Sequence, residues 1–378
     1  MRLVLLSLLL VASFHAFPEP AAPAVPAAPA IAARSWLLFD YNSGQTLAAN
    51  NPQQRVEPAS LTKLMTAYVV FAALKQKRIQ PDQPVTISER AWHVEGSRTF
   101  IEPARPVTVD ELIRGMVVQS GNDACIALAE TIAGSEEAFV ESMNREAQRL
   151  GMQNTHFANS TGLPHPQHHS TAQDLALLAA AVIRDYPEYY PLYSQKQFRY
   201  NNITQMNRNR LLWTDPTVDG LKTGYTENAG YCLVSSAHRG DRRLISVVLG
   251  AASEAARAAE SQKLLNHGFQ AYDGVRLYAQ NQPVATIRVW KGSLNSLRAG
   301  FVRDFYLALP KGGGDKVKAT IDSLQPVLAP VRAGQRVATL KLTLDGKPYG
   351  EFPVVALEEV PLAGILGRGW DAIRLFFQ

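Results

Sequence analysis

The sequence predicts an α/β fold of the α+β type. An antiparallel sheet flanked by helices is followed by a small all-β, sandwich-like domain and a C-terminal amphipathic helix. Strand-like alternation opens and closes residues 34–273 around a helical middle, which favours one sheet built from both ends of that segment. Short alternating stretches separated by Gly, Pro and Asp follow over residues 274–360 and indicate the all-β domain. The 378-residue chain is 46% hydrophobic and 19% charged, a composition that allows large buried cores.

The chain begins with a segment typical of a secretory signal peptide. Arg2 precedes the apolar run LVLLSLLLVASFHAF, which is too short for a full membrane span and ends in small residues. A buried strand or helix is the alternative interpretation. We assign residues 1–24 to the signal peptide and the start of a Pro/Ala tract, with cleavage after Ala16 or Ala24 left open. Residues 25–33 continue as an extended spacer.

Local signals order the elements of residues 34–273. The stretch SWLLFDYNSGQTLAAN alternates around the turn at residues 42–44 and predicts a hairpin. Thr108 and Glu111 form a capping-box pattern, and SEEAFVESMNREAQRLG and STAQDLALLAAAVIRD predict two further helices. Strands GYCLVSSAH and RLISVVLGA flank the turn Arg239-Gly240-Asp241, and the helical stretch SEAARAAESQKLLNHGF closes the segment.

Two cysteines, Cys125 and Cys232, are too few for a disulfide framework. We expect both to be free and buried, with a single disulfide between them as the alternative. The formal charge of +5 is mildly basic, but no Lys/Arg-rich block or aromatic-basic pattern occurs in the sequence. Nucleic acid is therefore not an expected partner.

The all-β domain contains no His or Cys and no cluster of acids suited to catalysis, so we expect a spacer or docking module. The last segment, residues 361–378, predicts an amphipathic helix at ~100° per residue. Its apolar face holds Leu362, Ile365, Leu366, Trp370, Ile373, Phe376 and Phe377, and its polar face Arg368, Asp371, Arg374 and Gln378. This pattern favours a helix lying in a membrane surface. A helix docked on its own domain is the alternative.

The stretch EPASLTKLMTAYVVF places one charge, Lys63, in an otherwise apolar run. A serine hydroxyl is a poor nucleophile at neutral pH and needs an adjacent base. Ser60 precedes the lysine by three residues, and on a helix this spacing brings both side chains to one face. Burial and neighbouring cations would lower the pKa of Lys63 and favour its neutral, proton-accepting form. Ser-x-x-Lys alone is a weak signal because it recurs by chance.

Two further motifs strengthen this interpretation. Ser120-Gly121-Asn122 is expected in a tight turn between helical stretches, where a hydroxyl and an amide project from a fixed loop. Lys222-Thr223-Gly224 is expected at the start of a strand. Its glycine allows close backbone approach, and its cation and hydroxyl suit a carboxylate.

These three motifs, in this order, resemble the signature of the penicillin-recognising serine acyl-transferases. The surrounding strings EPASLTKLMT, QSGNDAC, FANSTGLP, STAQDLALL, MNRNRLLW, VDGLKTGYTENAGYCL and AAESQKLLNHGF resemble low-molecular-mass D-alanyl-D-alanine carboxypeptidases of the penicillin-binding protein 5/6 type. The likeness is dense over residues 34–273 and implies a transpeptidase/β-lactamase-like domain. Over the β domain and tail it is one of architecture more than of sequence.

The resemblance implies a role for each catalytic residue. Ser60 would be the nucleophile and Lys63 its proton acceptor. Ser120 and Asn122 would shuttle the proton and orient the substrate. The backbone N–H groups of Ser60 and Tyr225 would form the oxyanion hole, aimed at the charge that develops during acyl transfer.

The resemblance also implies a carboxylate site. Lys222 and Thr223 would bind the terminal carboxylate of the peptide, beside Gly224, and Arg257 would assist them. An arginine fork suits a carboxylate well, although on a long helix an exposed arginine is the commoner case. Tyr225 stands where many family members carry His. Because the contact implied for this residue is through its backbone, the difference bears on rate or substrate preference and not on the reaction.

The activity so implied is removal of the terminal D-Ala from peptidoglycan stem peptides ending in D-Ala-D-Ala. It would use no metal or cofactor, and β-lactams would acylate the same serine. The expected location is the periplasmic face of the cytoplasmic membrane, where the tail helix would hold an exported, peripheral enzyme. The alternatives are a DD-endopeptidase, a slow serine β-lactamase and a penicillin-binding wall or shape protein with vestigial catalysis. A lactamase is disfavoured because no Glu-x-x-Leu-Asn string lies in residues 123–221.

The string HPQHH, with His165, His168 and His169, leaves a zinc site as an alternative, but a solvated loop is favoured. The tripeptide at residues 239–241 is interpreted as a hairpin turn rather than an adhesion motif.

Overall fold

The computed structural model describes residues 26–376, so the predicted signal peptide lies outside the described residues. A mixed domain, residues 34–271, precedes a β domain, residues 272–360. The described strands of the mixed domain are β1 (Ser35–Asp40), β2 (Gln45–Asn50), β3 (Gln197–Tyr200), β4 (Ile203–Met206), β5 (Val218–Thr226), β6 (Gly230–Arg239) and β7 (Arg242–Ala251). Its helices are α1 (Lys63–Lys75), α2 (Glu89–His93), α3 (Val109–Arg114), α4 (Asn122–Ala133), α5 (Glu136–Arg149), α6 (Ala172–Asp185), α7 (Leu211–Thr214) and α8 (Glu254–Ala271).

One antiparallel sheet organises the mixed domain in the order β2-β1-β7-β6-β5, so strands from both ends of the segment meet as predicted. All six residues of β1 are buried. Leu37 and Phe39 pack in the core formed with α1, α4 and α6. Trp36 and Leu38 face the opposite way, into a second core with Leu264 and its neighbours on α8. Because side chains alternate along a strand, β1 is apolar on both faces of a sheet that helices cover on both sides.

Caps and turns fall where the sequence predicts them. The hairpin at residues 42–44 joins β1 to β2, and residues 239–241 join β6 to β7. The Thr108 side chain accepts from the Glu111 N–H at 3.3 Å, and the Glu111 carboxylate accepts from the Thr108 N–H at 2.9 Å. This capping box starts α3 because it satisfies donors that the first helical turn leaves unpaired.

The β domain contains the described strands β8 (Tyr272–Tyr278), β9 (Pro283–Trp290), β10 (Ser296–Gly300), β11 (Phe305–Pro310), β12 (Val317–Ser323), β13 (Val327–Leu328), β14 (Arg336–Leu344) and β15 (Lys347–Ala356). Six of them form a sheet in the order β12-β14-β15-β10-β9-β13, and β11 pairs with β8 beside it. Aliphatic residues from both sheets, such as Leu297, Leu307 and Leu340, form its core. The all-β architecture matches the sequence-based prediction.

The terminal helix α9 (Ile365–Phe376) follows the β domain. Its apolar side chains point outward: Ile365 is 80% and Leu366 91% exposed. On the other face, a carboxylate oxygen of Asp371 accepts a 2.6 Å hydrogen bond from the backbone N–H of Lys291 in the β domain. Within residues 26–376, no helix is both long and apolar enough to cross a bilayer.

Candidate active site

Ser60 lies in a 3₁₀ turn, Ala59–Thr62, that runs directly into α1 at Lys63. Strand β5 crosses close behind this turn. A Cβ added to Gly224 would lie 3.1 Å from the carbonyl oxygen of Pro58 and 3.2 Å from the side chain of Ala59. A side chain at Gly224 would therefore push the strand away from the serine, which explains the need for glycine at this position.

Lys63 is 1% exposed and donates three hydrogen bonds from its Nζ. The acceptors are the Ser60 Oγ at 3.0 Å, the Asn122 Oδ1 at 2.7 Å and the Thr161 carbonyl oxygen at 2.6 Å. None of them carries a charge. Burial therefore dominates, and it lowers the pKa of Lys63 from its ordinary 10.5 to about 8. An amine in this range accepts a proton from a neighbouring hydroxyl far more readily than a solvated lysine does.

Ser120 occupies the predicted turn, between a π-helical turn (Gly115–Gln119) and α4, and it has left-handed backbone angles (φ 69°, ψ 34°). Few residues other than glycine adopt this conformation, which here brings the Ser120 hydroxyl within hydrogen-bonding distance of Lys222. Asn122, the first residue of α4, is fixed by a 2.7 Å hydrogen bond from its amide to the carbonyl oxygen of Glu95. Its other amide atom is thereby left aimed at Lys63.

Lys222 lies in the middle of β5, not at the start of a strand as expected. The strand begins four residues earlier because Val218 and the residues after it already pair with β6. The buried Nζ of Lys222 donates to the Ser120 Oγ at 2.9 Å and to the Thr223 carbonyl oxygen at 3.0 Å. Burial first, and then the charge of Lys63, hold the pKa of Lys222 well below its ordinary value.

Arg257 and Tyr225 stand at one end of the site. Arg257 is 5% exposed on α8, donates to the Gly224 carbonyl oxygen at 3.2 Å and lies 3.4 Å from the Glu254 carboxylate. Burial lowers the pKa of this guanidinium. Tyr225 is half exposed, and its ring lies 4.4 Å from that of Tyr231 with the planes 34° apart. The arginine is thus not the exposed residue that a long helix would commonly carry.

All nine predicted site residues meet at one cavity of about 790 Å³. Seven of them line it: Ser60, Ser120, Asn122, Thr223, Gly224, Tyr225 and Arg257. The other two, Lys63 and Lys222, are buried behind its wall, where each bonds a serine hydroxyl that faces the cavity. The Ser60 hydroxyl thus lies next to Lys63, whose pKa is lowered, and further cationic side chains lie around the same cavity.

Sequence reasoning missed two arginines that also line the cavity, Arg98 and Arg208. Arg208 projects between two buried asparagines. Asn207 bonds the Gln195 carbonyl oxygen and Asn209 the Gly220 carbonyl oxygen, each at 3.0 Å. The positive charge of Arg208 contributes to the lowered pKa of Lys63 and of Lys222. The string MNRNRLLW, which contains Arg208, supported the family resemblance. Nothing in the spacing of Arg208 along the sequence indicated that it lines the cavity.

The interpretation of HPQHH as a solvated loop is wrong for His168, which is buried. One ring nitrogen of His168 lies 2.8 Å from the hydroxyl of Thr62, in the turn that contains Ser60. Burial lowers the pKa of this histidine to about 3. Nothing in the spacing of the three histidines distinguishes the buried one. Over residues 26–376, no group of three or more His, Cys, Asp or Glu side chains is arranged to hold a metal ion.

Both cysteines are free and buried, as expected. The Sγ of Cys125 donates to the carbonyl oxygen of Gly121 at 3.1 Å, in the Ser120 turn. Burial raises the pKa of the Cys125 thiol to about 12, so it is not a reactive thiolate at neutral pH.

Two family models match the chain. A model described as D-alanyl-D-alanine carboxypeptidase matches residues 22–253, and one described as penicillin-binding protein 5, C-terminal domain, matches residues 272–362. Among curated relatives, the D-alanyl-D-alanine carboxypeptidase DacC of Escherichia coli (strain K12) is 43% identical over 356 residues, covering 92% of this chain and 89% of the relative.

Solved structures agree with the sequence matches. The chain is similar to penicillin binding protein 5 from Haemophilus influenzae, with a TM-score of 0.84, 42% identity and coverage of 89% of this chain and 99% of that one. It is also similar to penicillin-binding protein D2 from Listeria monocytogenes in its ampicillin-bound form. There the TM-score is 0.59 at 31% identity, with coverage of 63% of this chain and 98% of that one.

Proposed function

The chain belongs to the D-alanyl-D-alanine carboxypeptidase family, and from this premise we propose the chemical role of each residue around Ser60. The protein is a serine hydrolase that removes the terminal D-Ala from peptides ending in D-Ala-D-Ala. One observation carries the assignment of its nucleophile. The Lys63 Nζ lies 3.0 Å from the Ser60 Oγ in a buried site whose hydrogen-bond acceptors are all neutral.

In the acylation step, Ser60 Oγ attacks the carbonyl carbon of the penultimate D-Ala. Neutral Lys63 accepts the hydroxyl proton as the new C–O bond forms. The oxyanion that develops is stabilised by the backbone N–H groups of Ser60 and Tyr225, which are fixed donors and need no reorganisation during the reaction. Asn122 holds both Lys63 and the substrate amide.

The leaving group needs a proton on its nitrogen before D-Ala departs. Ser120 is suited to deliver it, because its hydroxyl lies 2.9 Å from the Nζ of Lys222 and faces the cavity. Collapse of the tetrahedral intermediate breaks the C–N bond and leaves an ester on Ser60. The proton that Lys63 took from Ser60 replaces the one that Ser120 gives to the leaving nitrogen, so Lys63 is neutral again. Water then attacks the ester while Lys63 accepts its proton, and that proton passes to the Ser60 Oγ as the shortened peptide is released.

The terminal carboxylate of the substrate binds among cations. Lys222, Thr223 and Arg257 surround the expected position, and Arg208 adds a fourth group that faces the same cavity. Four donors around one carboxylate favour a peptide with a free C-terminus over an internal amide, which supports a carboxypeptidase rather than a DD-endopeptidase. β-Lactams carry a carboxylate in a comparable position, so we expect them to acylate Ser60.

The two terminal segments are proposed to determine where in the cell the protein acts. We infer that residues 1–24 direct export and that α9 lies in the outer surface of the cytoplasmic membrane. The support is the outward-facing apolar row of α9, with Trp370 59% and Phe376 85% exposed, on a helix whose Asp371 is bonded to the β domain. The β domain, residues 274–360 by sequence, then holds the cavity away from that surface.

The activity is tested with diacetyl-Lys-D-Ala-D-Ala and an assay for free D-Ala. The wild type is expected to release D-Ala, and Ser60→Ala to release none above background and to lose covalent labelling by a fluorescent penicillin. Labelling without peptide hydrolysis would support a penicillin-binding wall protein instead. Rapid loss of the label as hydrolysed penicillin would support a β-lactamase.

The location is tested by removing residues 365–378, which leaves the β domain intact. The truncated protein should leave the membrane fraction and keep its D-Ala release from a soluble peptide. Membrane association that survives the truncation would contradict the role of α9. Replacing Ile365 and Leu366 with serine in the full chain gives a milder variant, expected to weaken association without shortening the protein.

A further inference from the structure

Arg98 lines the active-site cavity but takes no part in the reaction described above. It belongs to the segment at residues 95–101, whereas Arg208 follows β4, Lys222 lies on β5 and Arg257 lies on α8. Within residues 26–376, Arg98 forms no ion pair. An arginine that faces a binding cavity without an acidic partner is available to an anionic group of a ligand.

The guanidinium of Arg98 is held in place and yet incompletely bonded. One of its NH₂ groups donates to the carbonyl oxygen of Trp92, and its plane lies over the ring of Phe100, 5.7 Å from the ring centroid. Its Nε is buried and has no hydrogen-bond partner in the described part of the chain. Buried donors of this kind are rarely left unpaired, so the described residues do not use the full hydrogen-bonding capacity of this guanidinium.

The backbone that carries Arg98 is rigid. The carboxylate of Asp123 accepts hydrogen bonds of 2.8 Å from the N–H groups of Thr99 and Phe100. The side-chain amide of Gln205, on β4, donates to the carbonyl oxygen of Arg98 at 2.9 Å. A guanidinium on such a segment is preorganised, so little entropy is lost when a ligand binds it.

The charges around the cavity do not balance once the terminal carboxylate is bound. Among the described residues, the lining includes the arginines Arg98, Arg208 and Arg257 and the single acid Glu254, which already pairs with Arg257. The terminal carboxylate supplies one negative charge beside Arg208 and Arg257. Arg98 remains uncompensated, next to the hydroxyl of Ser97 on the same wall.

We propose that Arg98 and Ser97 form a second anion subsite, which binds a carboxylate of the substrate on the acyl-donor side of the scissile bond. This inference rests on the proposed function and names its substrate class: peptides that end in D-Ala-D-Ala and carry an additional acidic group upstream. Such a group adds a charge-assisted hydrogen bond at a rigid donor. The subsite therefore raises kcat/KM for acidic peptides over neutral peptides of the same length.

The test compares three peptides that differ only in acyl groups on lysine. The reference is diacetyl-Lys-D-Ala-D-Ala. In the two acidic peptides, a succinyl group replaces the acetyl group on either the Nα or the Nε of the lysine, which distinguishes a main-chain from a side-chain carboxylate. With the wild type, at least one acidic peptide should exceed the reference in kcat/KM by about tenfold at low salt, and this preference should shrink as salt screens the charge.

Substitutions of single arginines show which residue causes the preference for acidic peptides. Arg98→Gln should reduce the acidic-to-neutral ratio to about one, and Arg98→Lys should keep part of the preference. Arg208→Gln should instead lower kcat/KM for acidic and neutral peptides alike, because every substrate has the terminal carboxylate. Arg199→Gln removes the same charge from the exposed face of β3, outside the cavity, and should leave the ratio as in the wild type.

Two failures are distinguishable. No D-Ala release from any of the three peptides overturns the proposed function. Release from the neutral peptide, with neither acidic peptide exceeding it in kcat/KM, overturns only the subsite, and so does a preference that survives in Arg98→Gln. Penicillin labelling of each variant shows whether the Ser60 site is intact, and the wild-type ratio tests the proposal even where a variant fails to fold.

Discussion

The mixed domain buries two of its lysines, whereas two ion-paired lysines of the β domain lie in solvent. Lys63 and Lys222 are 1% and 3% exposed. In the β domain, the side chains of Lys316 and Lys341 are about half exposed, and their Nζ atoms lie 3.1 Å and 2.6 Å from the carboxylates of Asp345 and Asp322. The partners differ as well. Lys63 bonds only neutral acceptors, and Lys341 bonds a carboxylate.

This difference sets the direction of the pKa shifts. Burial lowers the pKa of Lys63 to about 8, while the hydrogen bond that Lys341 donates to Asp322 raises the pKa of Lys341. A buried lysine without a carboxylate costs folding free energy, since its charge is neither hydrated nor paired. The same environment supplies a base. Both buried lysines with a lowered pKa lie at the cavity where we propose that they act.

Replacing the buried Lys63 should reduce activity far more than replacing the exposed Lys341. Lys63→Ala should lower D-Ala release by at least about 10³-fold, because Ser60 loses its proton acceptor. Lys341→Ala should leave D-Ala release unchanged, because an exposed ion pair far from the cavity does not touch the substrate. Steady-state kinetics with diacetyl-Lys-D-Ala-D-Ala measure both. A Lys63→Ala enzyme with near-normal kcat would show that another group is the base.

Two glycines test whether the mixed domain and the β domain differ in how well their turns tolerate an added side chain. Gly162 and Gly334 share a left-handed backbone, with φ of +86° and +82°. A Cβ on Gly162 would lie 1.9 Å from the carbonyl oxygen of Ala59, next to Ser60, whereas a Cβ on Gly334 meets nothing within 4 Å. Gly162→Ala should therefore cost more than about 3 kcal/mol, and Gly334→Ala only about 1 kcal/mol of backbone strain.

Urea unfolding, followed separately for each domain by a local fluorescent label, measures both glycine variants. Penicillin labelling reports on the Ser60 turn and should fail in Gly162→Ala while remaining normal in Gly334→Ala. Equal losses of stability for the two substitutions would contradict the idea that packing against the nucleophile turn makes the difference.

The pH dependence of acylation tests the lowered pKa directly. A base must be neutral to act, so the second-order rate constant for acylation by penicillin should fall about tenfold per pH unit below the pKa of Lys63. It should level off above about pH 8. Lys341→Ala serves as the control and should show the same profile as the wild type. A rate that keeps rising toward the ordinary lysine pKa of 10.5 would contradict this assignment.

The smallest expected effect concerns acid stability and His168. Its folded pKa of about 3 is below the ordinary 6.5, so the unfolded chain binds a proton at pH values where the folded chain does not. The stability this group contributes is complete above pH 6.5 and is lost as pH falls toward 3, by at most about 1.4 kcal/mol per pH unit.

Urea unfolding at pH 7 and near pH 4.5 measures this loss. His168→Gln should lose less stability on acidification than the wild type. His93→Gln, in which the replaced side chain is 64% exposed, should behave like the wild type. A wild type and a His168→Gln variant with identical pH dependence would show that the histidine titrates normally.

Local patterns in the sequence predicted much of this molecule. The capping box at Thr108 and Glu111, the hairpin at residues 42–44 and the turn at residues 239–241 depend on neighbours within a few residues, so short stretches are enough to reveal them. The family resemblance named Ser60 and its partners. It did so because the reaction constrains both the residue types and their order along the chain.

The sequence alone therefore predicted most of the elements, the family and Ser60 as the nucleophile. The tertiary structure decided which groups surround that nucleophile. The Thr161 carbonyl oxygen that bonds Lys63, the burial of His168 against Thr62 and the position of Arg98 on the cavity wall all join residues far apart in sequence. Such contacts depend on how helices and strands pack in three dimensions. The spacing of residues along the sequence does not show which groups are buried. Burial is what lowers the pKa of Lys63 and leaves the Nε of Arg98 without a hydrogen bond in the described part of the chain.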